Sequence, residues 1–288
     1  MTGEGFGKYR SVFTARSTSD KIRDVAQDGG AVTALLCYAL ENGEIDGAVL
    51  TKRASRNWHA GQVVATTREE ILDCAGSVYE LSPSVFQLKD AVRENALENV
   101  AYVGLPCQAV AVRKMQLYPF GGRHVGDKIR YLIGIFCSEN FPHEGTRGIV
   151  EGYGGMPLEM MNRLHLGGGK FIIEADNETG EVPIKKAARY AQDGDHVCPD
   201  LTAEYADISV GSIGSEPGWN TIFVRTRRGE KLLGGAQADG VLEVKDISTV
   251  KPGLGLLQKL ALAKKKMAKE TIDKRKQLGL FVTRDMYY

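Results

Sequence analysis

The sequence predicts an α/β (α+β) protein, with a mixed β-sheet flanked by helices, a glycine-rich hairpin region and a basic C-terminal helix. Short apolar runs of strand length end at Gly104 and Phe136, and they alternate with segments whose apolar residues recur at helical spacing. The middle third, residues 151–195, is polar and rich in glycine, which favours antiparallel strands joined by tight turns. We therefore place an α/β domain at residues 1–250 and a helical tail, packed on it, at residues 251–288.

The first helix and strand of the predicted domain follow an Asp-Gly-Gly turn at residues 28–30. Apolar residues recur at helical spacing from Val32 to Leu40, which predicts a buried helix, and the apolar run Ile45–Leu50 has the length of a strand. Thr67 precedes a further helical segment, and Glu70 comes three residues later. This spacing predicts a capping box, in which the two side chains each bind a backbone N–H at the start of the helix.

Two further strands each lead to a cysteine. The strand Val100–Gly104 is followed by Cys107, and the strand Ile129–Phe136 runs directly into Cys137. In open α/β sheets, ligand-binding residues lie just beyond the carboxyl ends of the strands. Both cysteines occupy such positions, so we expect them to share one site.

The remaining segments complete the predicted sheet and its helices. Runs rich in β-branched and aromatic residues predict strands, whereas apolar residues three and four positions apart predict helices. On this basis we expect helices at Val85–Leu97, Ala109–Met115 and Leu254–Leu278, strands at Lys170–Glu174 and Asn220–Thr226, a turn at Asn177–Gly180, and a strand leading into a small-residue loop over Ala206–Gly214.

Composition argues against several classes of protein. The chain has 288 residues, of which 43% are hydrophobic and 25% are charged, and these values are ordinary for a globular protein with a substantial core. A formal net charge of +1 gives no basic excess, so no nucleic acid is expected as a partner. No run approaches the roughly 18 apolar residues that a membrane span needs, and no secretory signal is recognisable. We therefore expect a cytoplasmic protein without a membrane span.

The five cysteines are the strongest chemical signal in the chain. Their odd number, without an export signal, argues against a disulfide framework and leaves metal ligation, redox chemistry or burial. Cys37 lies within an apolar helix and is best explained by packing, whereas Cys74 is compatible with packing or ligation. Cys107, Cys137 and Cys198 lie at turns beside proline or polar residues, where a sulfur atom can point outwards. These three cysteines indicate an iron–sulfur centre.

A series of motifs, in a consistent order over nearly the whole chain, resembles the coenzyme F420 hydrogenase and dehydrogenase beta subunit family of methanogenic archaea. The matching segments include the Asp-Gly-Gly turn, both cysteine-bearing strand ends and a Lys-Pro-Gly motif near the C-terminus. The segments are Asp28–Leu36, Ile45–Val49, Val103–Gln108, Ile135–Phe141, Ala206–Gly211 and Lys251–Leu256.

The resemblance implies an oxidoreductase subunit that holds one FAD and one [4Fe-4S] cluster in the domain at residues 1–250. It further implies that the nickel–iron catalytic subunit and the small iron–sulfur subunit of a hydrogenase deliver electrons to the cluster, from which they pass to FAD and reduce coenzyme F420 reversibly. A flavin accepts electrons singly and releases a hydride as a pair, so it can connect a one-electron cluster with a hydride acceptor. No side chain is expected to be catalytic, because FAD carries the chemistry.

The resemblance also suggests the cluster ligands. The family commonly has a Cys-x-x-Cys pair near the third cysteine, and Asp195 occupies its first position in this chain. With Cys107, Cys137 and Cys198 as thiolate ligands, one iron needs a fourth donor, and a carboxylate oxygen is a rarer but possible one. We assign Asp195 to that position. The alternative is that Asp195 is solvated and that Cys74, or water, is the fourth ligand.

The candidate flavin residues lie on glycine-containing segments and beside the first cluster cysteine. Glycine lets the backbone approach a pyrophosphate closely, and a helix N-terminus or a hydroxyl can complete the hydrogen bonds of the phosphates. A small-residue loop with a tryptophan could form a wall of the isoalloxazine or deazaflavin pocket. The candidates are Gly29, Gly30, Val32, Thr33, Gly76, Ser77, Tyr79, Gly104, Pro106, Gln108, Gly211, Ser212 and Trp219.

Three other functions stay open at the level of sequence. The chain could be the deazaflavin-handling subunit of a formate dehydrogenase or sulfite reductase, which shares the chemistry but has another partner. It could also be a flavin-free iron–sulfur electron-transfer subunit, or an interaction module whose cysteines bind zinc or nothing. The basic run Lys264–Lys266 is most simply a solvated helix face, with a subunit-docking surface as the alternative.

Overall fold

The computed structural model of the chain describes residues 2–53, 58–118 and 121–282. Within these residues, a mixed eight-stranded sheet forms the centre of the molecule, a three-stranded antiparallel sheet lies beside it, and a two-stranded ribbon is formed near the N-terminus. Helices flank the central sheet. The fold class predicted from the sequence is therefore confirmed.

The strands are numbered in chain order. They are β1 Thr2–Gly3, β2 Gly7–Lys8, β3 Ser11–Ser17, β4 Gly47–Arg53, β5 Ala60–Ala65, β6 Val100–Gly104, β7 Ile129–Ile135, β8 Arg163–Gly167, β9 Lys170–Glu174, β10 Thr179–Pro183, β11 Ile208–Gly211, β12 Asn220–Val224 and β13 Leu242–Asp246.

The helices are numbered in the same way. They are α1 Asp20–Val25, α2 Ala31–Glu41, α3 Arg68–Asp73, α4 Ser84–Arg93, α5 Pro106–Leu117, α6 Arg123–Gly126, α7 His143–Arg147, α8 Ile184–Ala187, α9 Arg227–Ala238 and α10 Leu254–Gln277. A π-helical turn spans Gly148–Tyr153, and short 3-10 turns span Leu158–Met160, Ala188–Tyr190, Asp195–Val197 and Ile247–Thr249.

The strand order of the central sheet is β13-β3-β12-β11-β7-β6-β4-β5. The four inner strands β11, β7, β6 and β4 are parallel, and the strands outside them pair antiparallel. Because parallel strands end at the same side of a sheet, the ends at Gly104 (β6), Ile135 (β7) and Gly211 (β11) lie together. We call this side the carboxyl edge.

The central sheet is covered on both faces, which explains why its inner strands are nearly continuous apolar runs. Helix α2 packs on one face, where Leu35 and Leu36 are at most 1% exposed and join a core that includes Ile133. Helices α4 and α5 contribute Leu88 and Val112 to a separate core cluster. Fully burying a side chain of this size stabilises the fold by about 1.5–3 kcal/mol, so these helices are firmly held.

The glycine-rich middle region forms the smaller sheet and a core of its own. Strands β8, β9 and β10 pair antiparallel, and the turn between β9 and β10 lies at residues 175–178, two residues earlier than predicted, because Thr179 and Gly180 begin β10. Ile173 and Val182 on these strands are fully buried together with Phe141. The predicted hairpin region is thus a three-stranded unit that packs on the segment following β7.

The long C-terminal helix α10 packs through one face. Its buried residues are Leu257, Ala261, Lys264 and Ala268, which recur every three or four positions, and no described residue after Ala268 is buried. The division of the chain at residue 250 stays a prediction, and residues 283–288 of the predicted tail lie outside the described residues. None of the described helices is long and apolar enough to cross a membrane.

Some element boundaries differ from the sequence predictions for local reasons. Helix α4 ends at Arg93 instead of Leu97, because Ala96 adopts a φ of 53° that a helix cannot contain. Helix α5 begins at Pro106, so Cys107 lies in its first turn and not on the preceding turn. Proline is favoured there because the first helical N–H has no intrahelical partner. The capping box at the start of α3 is confirmed.

Candidate functional site

All four predicted cluster ligands lie at or next to the carboxyl edge. Cys107 is in the first turn of α5, directly after β6, and Cys137 follows the end of β7. Asp195 and Cys198 lie at a 3-10 turn that precedes β11 in the chain. Asp195, Cys107 and Cys198 all act electrostatically on the thiol of Cys137, so the structure brings the four side chains together. We call them the donor set.

Backbone hydrogen bonds hold the segments of the donor set against one another. The N–H of Cys137 donates to the carbonyl of Leu201, 2.9 Å away, which joins β7 to the chain that follows Cys198. The N–H of Asn140 donates to Oδ2 of Asp195 at 2.8 Å, and the carbonyl of Asn140 accepts from the N–H of Gln192 at 3.0 Å. Oδ2 of Asp195 therefore has a backbone partner.

Burial makes the anionic forms of Cys107, Cys137 and Asp195 unfavourable. Although the residue Cys107 is exposed, the surrounding protein raises the pKa of its thiol to about 11. Burial also raises the pKa of Cys137 far above its usual value. Burial raises the pKa of Asp195 too, whereas the hydrogen bond from Asn140 and the charge of Lys264 lower it. A metal centre favours deprotonated ligands, so its binding would offset these desolvation effects.

The ligand atoms of the donor set are more widely spaced than those of the close group that a single ion needs. Among the described residues, no three of these sulfur and carboxylate oxygen atoms lie within 4.8 Å of one another. The ligands of a single zinc ion lie close together around it, because each bond is only about 2.0–2.3 Å long. A multi-iron cluster separates its ligands further.

Lys264 of α10 is a part of this site that the sequence analysis missed. Its side chain is buried, and its Nζ donates to the carbonyl of Cys137 at 2.6 Å and to that of Ser138 at 2.9 Å. The prediction that this part of the basic run is a solvated face was therefore wrong for Lys264, whereas Lys266 is exposed. The spacing from Leu257 through Ala261 to Lys264 follows one helix face and was the available signal.

The other two cysteines lie elsewhere. Cys37 of α2 is 1% exposed in the core, as its position in an apolar helix predicted. Cys74 packs at the margin of the same core, and the charged groups that act on its thiol are Lys52, Asp73 and Glu70. None of these groups belongs to the donor set.

Three of the candidate flavin segments converge beside the donor set. Asp28, which precedes the predicted Gly-Gly pair, hydrogen-bonds to Ser212 after β11. The hydroxyl of Tyr79 hydrogen-bonds to Ser77, and burial together with the charge of Asp28 raises the pKa of Tyr79 to about 12. Cys137 also acts on Tyr79. The Tyr79 side chain is thus near both Asp28 and Cys137.

The smaller sheet contributes two basic side chains that the sequence analysis did not identify. Burial raises the pKa of Asp28, and the charges of Arg163 and His165 on β8 oppose that shift. The guanidinium of Arg163 donates a hydrogen bond to the carbonyl of Gln27. A guanidinium in this position suits recognition of a phosphate. Arg163 lies in a region without a recognisable motif, so only its fold placement reveals it.

The N-terminus of α2 has free donors. Gly30 is its N-cap residue, with a φ of 70°, and the N–H of Ala31 donates to Oδ1 of Asn220 at 3.1 Å. In the part of the chain that the structure describes, the N–H groups of Val32 and Thr33 have no acceptor. A helix N-terminus with unpaired N–H groups is a favourable place for a phosphate.

Internal packing explains several of the predicted glycines. A Cβ on Gly29 would lie 2.9 Å from Oδ1 of Asn220 and 3.0 Å from Cα of Trp219, and one on Gly104 would lie 2.4 Å from the ring of Tyr102. A Cβ on Gly211 would similarly lie 2.0 Å from the ring of Phe136. Gly76 is exposed, with a φ of 97° that a turn requires. These glycines have structural reasons, so their roles in flavin binding stay predictions.

The remaining flavin candidates also have partners within the protein. The side chain of Gln108 accepts from the N–H of Leu105 at 2.8 Å and donates to the carbonyl of Ser82 at 2.9 Å. Trp219 is buried, and Arg16 and Lys245 lie over its ring at 4.6 and 3.8 Å from the centroid. Pro106 is buried as the first residue of α5. None of these contacts assigns or removes a role in flavin binding.

Comparison with protein families decides which group this fold and site belong to. The model described as the N-terminal part of the coenzyme F420 hydrogenase/dehydrogenase beta subunit matches residues 12–89, and the model of the C-terminal part matches residues 97–250. The chain belongs to this family. The predicted resemblance is thereby confirmed. All four residues of the donor set, and Arg163, lie within the span of the C-terminal family model.

Similar proteins of this family come from methanogens. The chain is 46% identical to the coenzyme F420 hydrogenase subunit beta of Methanococcus voltae, over 96% of this chain and 98% of the relative. It is 43% identical to the same subunit of Methanothermobacter thermautotrophicus, over 95% and 98%. A chain in a structure of the F420-reducing [NiFe] hydrogenase complex from Methanosarcina barkeri superposes with a TM-score of 0.94 and 42% identity, covering 97% of this chain and 96% of that one.

Proposed function

We propose that this chain is the subunit of an F420-reducing hydrogenase that receives electrons at a [4Fe-4S] cluster, transfers them to FAD and reduces coenzyme F420 reversibly. The observation that carries the proposal is the convergence of the donor set beside the candidate flavin segments, with Tyr79 acted on by both Cys137 and Asp28. Identities of 43% and 46% to F420 hydrogenase beta subunits, over almost the full length of both chains, support the same function.

Cys107, Cys137 and Cys198 would supply three thiolates to the cluster, and Asp195 a carboxylate oxygen. Cys137 and Cys198 are 8% and 7% exposed, so the protein shields this side from water. Asn140 orients the carboxylate of Asp195 by holding Oδ2. A carboxylate donates less charge to iron than a thiolate does, so the ligand set itself influences the reduction potential.

FAD would bind where the segments at residues 28–33, 76–79 and 211–212 meet. The unpaired N–H groups of Val32 and Thr33 at the start of α2 would bind its pyrophosphate, and the guanidinium of Arg163 would balance phosphate charge. Ser77 and Ser212 add hydroxyl groups to this region, where they now bind Tyr79 and Asp28. The predicted candidates Gly29, Gly30, Gly76, Gly104, Pro106, Gln108, Gly211 and Trp219 surround these groups as a scaffold in the proposal.

In this reaction the chain's own residues would bind and orient the redox groups and exclude water from them. FAD, when bound, supplies the conversion between single electrons and a hydride, which coenzyme F420 requires. Tyr79 would lie near both the flavin region and Cys137, where burial raises the pKa of its hydroxyl to about 12. No side chain need act as an acid or base for this assignment. Catalysis would depend on the distance and orientation that the fold imposes on the two redox groups.

The proposed partners are the nickel–iron catalytic subunit and the small iron–sulfur subunit of the hydrogenase. The support is the high structural similarity to a chain of the F420-reducing [NiFe] hydrogenase complex. A deazaflavin-handling subunit of a sulfite reductase or formate dehydrogenase is the alternative. The chain is 34% identical to an F420-dependent sulfite reductase of Methanocaldococcus jannaschii, but it spans 43% of that protein, which is a less complete match than the hydrogenase subunits give.

The proposal is tested on the full chain purified without oxygen. We expect overlapping flavin and iron–sulfur bands in the visible spectrum, about four irons per chain, and FAD as the flavin released by acid. Reduced methyl viologen as electron donor should then reduce coenzyme F420. A yellow protein without iron would contradict the cluster, and a brown protein without flavin would support the flavin-free alternative. Recovery of FMN alone would contradict the FAD assignment.

A further inference from the structure

A second group of potential metal ligands lies outside the donor set. His59, Glu80 and His143 each offer one ligand atom, and these atoms all lie within 4.8 Å of one another. Nδ1 of His143 is 2.8 Å from Oε2 of Glu80, and Nδ1 of His59 is 3.3 Å from Oε1. The two imidazole rings are stacked, with their centroids 3.6 Å apart and an angle of 20° between their planes. We call these residues the His–Glu–His group.

Three separate segments position the group. His59 immediately precedes β5, and His143 is the first residue of α7. Glu80 pairs with Phe141 in an isolated parallel bridge, which brings its segment beside the start of α7. The side chain of Glu80 is 7% exposed, and its Oε1 also accepts a hydrogen bond from the N–H of Ala60 at 3.1 Å. The carboxylate is therefore fixed by contacts other than the histidines.

We infer that the His–Glu–His group binds one divalent transition-metal ion. Two histidines and one carboxylate are a known protein ligand set for zinc, which leaves one position for water or another ligand. Bonds of about 2.0–2.2 Å in a tetrahedral site place the donor atoms about 3.3–3.6 Å apart. The nitrogen-to-oxygen distances in the group are 2.8 and 3.3 Å, so small shifts of the side chains would admit the ion.

The charges of the group agree with this assignment. Each ring can donate an Nδ1–H to a different oxygen of Glu80. A metal ion bound at the two Nδ1 atoms would take the place of these hydrogen bonds, with the proton of each ring on Nε2, and its charge would compensate the buried carboxylate; imidazole nitrogen and carboxylate oxygen both suit ions such as Zn²⁺. The partly exposed ring of His59 gives the ion a route from solvent.

Such an ion would connect two parts of the molecule. His59 precedes edge strand β5 of the central sheet, whereas Phe141, beside His143, lies in the core of the smaller sheet together with Trp58. A bound metal would thus hold the start of β5, at His59, against the start of α7, at His143. This inference stands apart from the proposed cluster and flavin, because it uses none of their residues.

The experiment measures Zn²⁺ binding to the full chain in competition with a chromophoric chelator, using protein whose iron content has been determined. Wild type should bind one zinc ion that His143→Ala and His59→Ala weaken by roughly tenfold or more. His124→Ala is the matched control, since the side chain of His124 hydrogen-bonds to Arg93 and to the carbonyl of Gly121 and is not a member of the His–Glu–His group. His124→Ala should bind zinc as wild type does.

X-ray absorption of the zinc-loaded protein separates this site from the donor set. The His–Glu–His group predicts nitrogen and oxygen neighbours at about 2.0–2.2 Å and no sulfur neighbour at about 2.3 Å. A zinc–sulfur distance would overturn the inference, as would unchanged affinity in both histidine variants. His59 is largely exposed, so His59→Ala should fold normally and decides the question even if His143→Ala is unstable. Circular dichroism checks the fold of each variant.

Discussion

The donor set and the candidate flavin segments lie next to each other, but the protein builds them from different kinds of information. Side chains form the donor set, and each of them has a chemical property, a thiol or a carboxylate, that the sequence displays directly. The flavin segments consist largely of glycines and backbone groups. Gly29 and Gly211 have close internal contacts that explain their identity without any ligand. A site made of side chains is therefore easier to predict than a site made of backbone.

The largest effect expected from this comparison is loss of the cluster. Cys137→Ala removes a buried thiol of the donor set, so iron should fall from about four atoms per chain to near zero. Cys74→Ala is the matched control, because Cys74 lies beside Lys52 and Asp73 and away from the donor set. Its iron content should equal that of wild type. Iron and sulfide assays on anaerobically purified protein measure both, and iron loss in Cys74→Ala would refute the assignment.

Asp195 should have the next largest effect. Asp195→Ala should lose iron or convert the cluster toward a three-iron form, because one iron would lack a protein ligand. Asp195→Cys should keep four irons and lower the reduction potential, since a thiolate donates more charge to iron than a carboxylate does. Electron paramagnetic resonance during a redox titration measures both changes. Spectra and potentials equal to wild type in both variants would show that Asp195 is not a ligand.

The substitution Gly29→Ala tests whether position 29 is glycine because of internal packing or because of flavin binding. Gly29→Ala should lower the free energy of unfolding by about 1–3 kcal/mol, because the added Cβ would meet Asn220 and Trp219. Thermal unfolding should show this loss in flavin-free protein as well as in flavin-loaded protein. Gly234→Ala is the control, since Gly234 lies exposed in α9 with open space around it and alanine favours a helix. A loss confined to flavin-loaded protein would restore the ligand explanation.

Lys264 tests whether the C-terminal helix tunes the donor set. Lys264→Met removes a positive charge beside Cys137, so the cluster potential should fall by on the order of 50–100 mV. Lys266→Met, on the exposed side of the same helix, should shift it far less because solvent screens that charge. Redox titration followed by electron paramagnetic resonance measures both potentials. Equal potentials in the two variants would contradict a direct influence of Lys264.

The smallest effect concerns the pH dependence of stability. Burial raises the pKa of Asp28 above its usual value of 3.8, so the folded state binds more protons than the unfolded state between the two pKa values. The contribution of Asp28 to the free energy of unfolding therefore falls as pH rises through this window and stays lower above it. Asp28→Asn should remove this decline. Urea unfolding of flavin-free protein from pH 4 to 8 measures it, and parallel curves for both proteins would refute it.

The strand ends were predictable from the sequence because apolar runs are a strong local signal. The run ending at Gly104 is β6, the run predicted to end at Phe136 is β7 and ends one residue earlier at Ile135, and the parallel pairing of the two strands brings the cysteines after them to the same edge. Arg163 and Lys264 were not predictable in the same way. Arg163 is one of many arginines, and only the packing of the smaller sheet brings it to Asp28. Lys264 is buried because α10 lies against the turn at Asp195, a contact between segments distant in the sequence.

The two hydrogen bonds from Lys264 connect the C-terminal helix to the backbone of a proposed cluster ligand. Cluster binding and helix docking then share one set of contacts, at Cys137 and Ser138. Thermodynamic linkage requires that whatever strengthens one of two coupled events strengthens the other by the same free energy. Oxidative loss of the cluster should therefore loosen α10, and a damaged subunit would expose the apolar face of that helix. The docking of α10 would then depend on whether the cluster is intact.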